Sequence, residues 1–151
     1  MSIDLVMSQV PRHRPLGLLL AQTAKAVARN FEDTLNQKGG SRPIWLILLA
    51  LMDGGHRTQA DLAAAVGVQG PTLTHHLNGM EKDGLLTRTR LPENRRVHVV
   101  ALTARGRALF QQLKRAVLRF DAQLSGRFTA AEMDTLRELL ERMGPSDTVG
   151  F

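Results

Sequence analysis

The residues with the most chemistry to offer lie between Gln59 and Arg96. Stepping about 100° per residue along a helix that begins at Pro71 places Leu73, Leu77 and Met80 on one face. The opposite face collects Thr74, His75, Asn78 and Lys82, with Thr72 and Gly79 flanking them and His76 nearer the apolar edge. Hydroxyl, amide, imidazole and amine groups are those that hydrogen-bond base edges and phosphates in a major groove. Gly70 and Pro71 are expected to leave the first N–H groups of this helix free for a phosphate, with the helix dipole in favour. Gln59, opening the preceding helix, is placed for the same task. Further along, Asn94, Arg95 and Arg96 form the tip of a predicted hairpin, where arginine on a thin ribbon can enter a narrow minor groove. Arg88 and Arg90, on its ascending strand, are expected to touch phosphates.

Charge supports that reading. The chain carries a net charge of +6, and five of those six charges accumulate between Lys82 and Arg107. In that stretch Lys82, Arg88, Arg90, Arg95, Arg96, Arg105 and Arg107 face only Asp83 and Glu93. A local basic patch suits a polyanion. Any surface helix is polar outside, and any charge run can be a solvated face. Neither explains why this polar helix directly precedes a basic hairpin.

Other chemistries find little support. With no cysteine there is no disulfide framework, thiolate metal site, cysteine nucleophile or thiol redox switch. His75 and His76 are neighbours about 100° apart on a helix and cannot share one metal ion as an i, i+4 pair could. His13, His56 and His98 have no acidic or histidine partner at ligand spacing. No nucleophile elbow, phosphate-binding glycine loop or pair of catalytic carboxylates is present, so no catalytic residue, metal or cofactor is expected.

The elements that must position these groups can be read along the chain. Residues 1–15 lack periodicity, contain Pro11 and Pro15, and read as a loose arm without the pattern of a secretion signal. Leu16, Leu20, Thr23, Val27, Phe31 and Leu35 recur at helical steps, stopped by Gly39-Gly40. Ser41 and Pro43 open a second helix, whose nine-residue apolar run from Ile44 to Met52 must be covered on most sides. A membrane span needs about 20 such residues, so no membrane partner is expected. Asp53-Gly54-Gly55 ends that helix. Thr58 and Asp61 form a capping box for a short helix burying Leu62, Ala63 and Val66, stopped by Gly67. The helix from Pro71 follows, ending near Gly84, and two short helices around a tight turn make a helix-turn-helix. Leu85 to Arg90 and Val97 to Leu102 pair as a hairpin across Leu91-Pro92-Glu93-Asn94. Thr103 caps a long helix with Leu109, Leu113, Val117, Phe120 and Leu124 as its stripe, ended by Gly126. Thr129 and Glu132 box a last helix carrying Leu136, Leu139, Leu140 and Met143, closed by Gly144-Pro145.

The fold class that follows is mainly α (α+β), a winged helix-turn-helix with a two-stranded wing embedded in a helical dimerisation domain. Residues 1–151 form a single domain, with 16–40 and 104–144 as dimerisation helices around a winged helix at 41–103. The outer helices carry apolar stripes that a winged helix of about 60 residues cannot cover, and a twofold dimer buries them. Such a dimer sets two recognition helices roughly 34–36 Å apart, one DNA turn, which implies a pseudo-palindromic double-stranded DNA site.

The sequence resembles the MarR family of transcription regulators, and within it the SlyA-like branch. The resemblance rests on Thr58-Gln-x-Asp-Leu-Ala, Val68-Gln-Gly-Pro-Thr-Leu, Met80-Glu-Lys-Asp-Gly-Leu-Leu and Asn94-Arg-Arg-x6-Thr103-x2-Gly106, in order from about Leu16 to Met143. It implies a triangular dimer with interlocked terminal helices, the helix from Pro71 in the major groove and the wing in the minor groove. Two positions depart from the family's pattern. Asn94 stands where an Asp usually holds the wing arginine, here Arg96, and His75 stands where the SlyA-like branch tends to carry Arg. Imidazole titrates near neutrality, so His75 brings a route to pH-sensitive binding.

The resemblance also implies a small phenolic or carboxylate effector in a cleft between the dimer helices and the winged helix. Arg12, His13 or Arg14 could neutralise such an anion, although a basic arm touching DNA or solvent is the preferred reading of those residues. The expected function is therefore a homodimeric, sequence-specific transcription regulator, with a cytoplasmic location. The alternative is a low-specificity architectural or anti-silencing DNA-binding dimer, whose binding would rest on phosphates and fall steeply with salt.

Overall fold

The computed structural model describes residues 14–54 and 58–144. Among the described residues six helices and one hairpin follow in order: α1 (Leu16–Asn36), α2 (Arg42–Asp53), α3 (Gln59–Val66), α4 (Gly70–Lys82), β1 (Leu86–Arg90), β2 (His98–Leu102), α5 (Ala104–Ser125) and α6 (Ala130–Met143). Arg12, His13, Gly55, His56 and Pro145, all named above, lie outside the described residues.

The helix signals act where the chain places them. The Ser41 hydroxyl accepts the Ile44 N–H at 3.3 Å, with Pro43 in the first turn of α2, and Gly54 ends that helix at φ 77°. Thr58 and Asp61 satisfy each other's backbone N–H groups at the start of α3, as Thr129 and Glu132 do for α6. Each capped end removes orphan donors that a helix otherwise leaves to solvent, about 1 kcal/mol apiece.

The core gathers Leu35 of α1, Trp45, Ile47 and Leu48 of α2, Leu62 of α3, Leu73, Leu77 and Met80 of α4, Leu85, Leu86 and Val100 of the hairpin, and Phe110 and Leu113 of α5. Trp45 stacks on Phe110 with centroids 5.4 Å apart and planes 7° from parallel. Strands β1 and β2 pair antiparallel from Leu86↔Leu102 to Arg90↔His98, and a lone bridge joins Thr58 to Val99. The wing is thereby tied to the start of α3 as well as to itself.

Three expectations about packing change. The buried stripe of α5 runs through Gly106, Phe110, Leu113 and Ala116, while Leu109, Val117, Phe120 and Leu124 are only partly buried. Its first half faces the winged helix and its second half faces α1, where Phe31 meets Phe120 edge-on at 5.5 Å. Helix α2 is covered less than its composition suggests, with Leu49 and Met52 exposed. The strands are also one residue shorter at their starts. The Leu85 N–H bonds the Met80 carbonyl to close α4, and Val97 exchanges backbone bonds with Leu91 and Asn94 in the wing turn.

Helices α1 and α6 leave most of their apolar surface open. Leu16, Leu18, Leu19 and Leu20 are exposed, as are Leu139, Leu140 and Met143, and no residue of α6 is buried.

Candidate nucleic-acid interface

Helix α4 begins after an extended Gln69 that gives no side-chain cap. Pro71 has no N–H, so the backbone donors of this first turn belong to Gly70 and Thr72, with no side chain capping them. Leu73, Leu77 and Met80 are buried as the helical step requires, and Thr72, His75, Asn78 and Lys82 stand exposed on the other side. His76 is half-buried at the edge, its ring 5.7 Å from that of His75. The two histidines border a groove of about 330 Å³ that also touches Asn78, Lys82 and Ile44.

Thr74 faces neither core nor solvent squarely. Its hydroxyl donates to the Gly70 carbonyl at 3.1 Å and accepts from Gln59 Nε2 at 3.4 Å. Two residues expected to meet DNA separately thus hold each other, and the pair braces α3 against α4.

The wing separates its arginines into two kinds. Arg90, Arg95 and Arg96 are exposed. Arg88 is turned inward, its side chain only 15% exposed. Its guanidinium donates to Asn78 Oδ1 at 2.6 Å and to both Glu81 carboxylate oxygens, and its backbone N–H donates to Glu81 Oε2 at 3.0 Å. The hydrogen bond from the Arg88 side chain, helped by its charge, holds the Glu81 carboxyl below its ordinary value. Arg88, expected at a phosphate, here forms an internal link between wing and helix. Sequence reading missed Glu81 because a charged residue near a helix end has many solvated alternatives; the Glu81–Arg88 spacing across the Gly84 turn was the available signal.

At the wing tip, Asn94 Oδ1 accepts the Arg96 backbone N–H at 3.1 Å. The amide shapes the turn through the main chain and leaves the Arg96 side chain exposed. Thr103 joins the base of the wing to α5: its hydroxyl donates to the Gly84 carbonyl at 2.6 Å and accepts the Gly106 N–H at 3.1 Å.

Of the arm residues considered for an effector, Arg14 is described. It donates to Gln22 Oε1 at 2.7 Å and lines a cleft of about 530 Å³ between α1 and α5, where Arg127 is a second cation. Arg127, near the end of α5, had no sequence signal beyond its charge.

Among the described residues no helix is long and apolar enough to cross a membrane, and no three His, Asp or Glu gather as a metal group.

Comparison with known proteins gives a consistent picture. The MarR family profile matches residues 41–97. The homoprotocatechuate degradative operon repressor of Escherichia coli is 29% identical over 129 residues, spanning 85% of this chain and 87% of that protein. Among solved structures, the transcriptional repressor CouR bound to a 23-mer DNA duplex is similar with a TM-score of 0.75 and 27% identity, covering 86% of this chain and 92% of that one. A mutant MarR from E. coli complexed with operator DNA gives a TM-score of 0.72 and 25% identity, covering 87% and 94%.

Proposed function

We propose that the chain is a member of the MarR family, a sequence-specific transcription regulator that binds pseudo-palindromic double-stranded DNA as a homodimer; the family match over residues 41–97 and the 29% identity to an operon repressor support the reading. One observation carries the reading. A single winged helix presents the exposed polar face of α4 (Thr72, His75, Asn78, Lys82) beside a wing bearing exposed Arg90, Arg95 and Arg96. The helix suits a major groove and the wing tip an adjacent minor groove. Gln59, Gly70, Pro71, Thr74 and His76 shape that surface from its edge. Arg88 supports it from within.

The homodimer is supported by the open apolar faces of α1 and α6, which water would otherwise cover at roughly 25 cal/mol per Å². The wing motif and the helix from Pro71 support placement near the SlyA-like branch, with Asn94 and His75 as its departures. The work of such a regulator lies in the cytoplasm, where the DNA is. The cleft between α1 and α5, with Arg14 and Arg127 on its wall, supports a seat for a small phenolic or carboxylate effector between the dimer helices, apart from the expected cleft beside the winged helix, and catalysis has no part in this reading.

Labelled DNA from beside the chain's own gene, titrated at about 50 and 200 mM salt with unrelated competitor, tests the function, since specific binding exceeds non-specific binding by at least about 10³. A complex that survives competitor and is weakened by Arg96→Ala is the expected result. Loss of binding to competitor at both salts favours the architectural alternative, and no binding at low salt removes DNA from the account.

A further inference from the structure

Arg88 fixes how the Asn78 amide faces. A guanidinium carries donors and no acceptor, so the atom it meets at 2.6 Å is Oδ1 and the amide cannot be turned around without losing the contact. The guanidinium is itself anchored by Glu81 through both carboxylate oxygens, and the Arg88 main chain is anchored to the same residue. Asn78 is nevertheless exposed on the outward face of α4, and no described residue takes its Nδ2 hydrogens.

Building on the reading of α4 as a recognition helix, we propose that Asn78 reads DNA as a donor only, through Nδ2, and that its target is guanine. Recognition of adenine by an amide uses both atoms at once, the oxygen accepting from N6 while the nitrogen donates to N7. Here a cation already occupies the oxygen. Its second lone pair remains, but an adenine amino group approaching it would bring its hydrogens against those of the guanidinium. Guanine offers N7 and O6 in the major groove, two acceptors and no donor, and matches what is left. Arg88 is then a positioning residue: it sets specificity through Asn78 without touching the base.

The test is selection of binding sites from randomised duplexes by the full-length protein and two variants, Asn78→Asp and Arg88→Met. Wild type should select guanine at one position in each half-site. Asn78→Asp keeps a partner for Arg88 but replaces the donors with an acceptor, so that position should change to cytosine, whose N4 amino group donates. Arg88→Met frees Oδ1 and should admit adenine there, cutting the preference for guanine over adenine by about tenfold or more. The inference is overturned if wild type already selects adenine at the position that Asn78→Asp alters. It is equally overturned if Arg88→Met, folded by circular dichroism, leaves the preference unchanged. If wild type selects no sequence at all, the proposed regulator function falls and this inference with it; that outcome is distinct, because every position and not only this one is then unselected.

Discussion

Gly106 of α5 packs directly on the Leu85 carbonyl, so closely that a β-carbon at position 106 would run into that oxygen. The same carbonyl accepts the Thr103 N–H at 3.1 Å, and the Thr103 hydroxyl holds the neighbouring Gly84 carbonyl. The turn that carries the chain from α4 to the wing is therefore seated on the first turn of the long helix. Gly106→Ala should destabilise the protein by about 1–3 kcal/mol, because the clash is with backbone that cannot rotate away. Gly79→Ala, where a β-carbon meets nothing within 4 Å, is the control and should gain about 0.5–1 kcal/mol from helix propensity. Urea denaturation of both variants decides it; equal midpoints would show that the junction yields.

The Glu81–Arg88 pair should leave a mark on pH dependence. Glu81 has a lowered folded-state value, so its contribution is fully present above the ordinary 4.5 and is lost as pH falls through the lowered value. The stability difference between wild type and Glu81→Gln should be constant near neutrality and shrink on acidification below that range. Because the carboxylate is 41% exposed, the difference is small and best followed by the Arg88 side-chain resonance. A difference that grows as the pH is lowered would reverse the assignment.

Salt dependence should separate the basic residues. Lys82→Ala or Arg90→Ala removes an exposed cation and should lower the slope of log affinity against log salt by about 0.9 for each phosphate no longer neutralised. Arg88→Met should leave the slope unchanged, since its charge is matched by Glu81 within the protein. Parallel titrations at several salt concentrations read this directly. A reduced slope for Arg88→Met would mean that the arginine leaves Glu81 for a phosphate on binding.

The open face of α6 should be where assembly can be broken. Leu139→Arg with Leu140→Glu places charge on residues now 45% and 43% exposed, without touching the core of the winged helix. Wild type should sediment as a dimer at micromolar concentration. The double variant should sediment as a folded monomer and lose most of its affinity for a two-half-site duplex. An unchanged dimer would move the interface away from α6.

Much of this architecture was legible because its signals are local. Ser41, Thr58, Thr103 and Thr129 cap helices through neighbours three residues on, and Leu73, Leu77 and Met80 mark the inner face of α4 by spacing alone. What escaped depends on contacts between elements. Phe110 enters the core because Trp45 stands opposite it, and nothing within α5 ranks it above Leu109. Arg88 and Arg90 look alike in an alternating strand, and only Asn78 and Glu81, reached across the Gly84 turn, make one internal and leave the other outward. Likewise the hydroxyl of Thr74 is taken by Gly70 and Gln59, a pairing between two helices that the helical wheel of α4 cannot contain.

The stacked Trp45 and Phe110 also make the protein its own optical probe. The chain has one tryptophan and no tyrosine, so ultraviolet emission excited at the indole edge comes from a single ring at the contact between α2 and α5. Trp45 is 9% exposed and belongs neither to the wing nor to the outer face of α4. Its emission follows the integrity of that one contact, without labelling, while a fluorophore on the DNA reports occupancy separately.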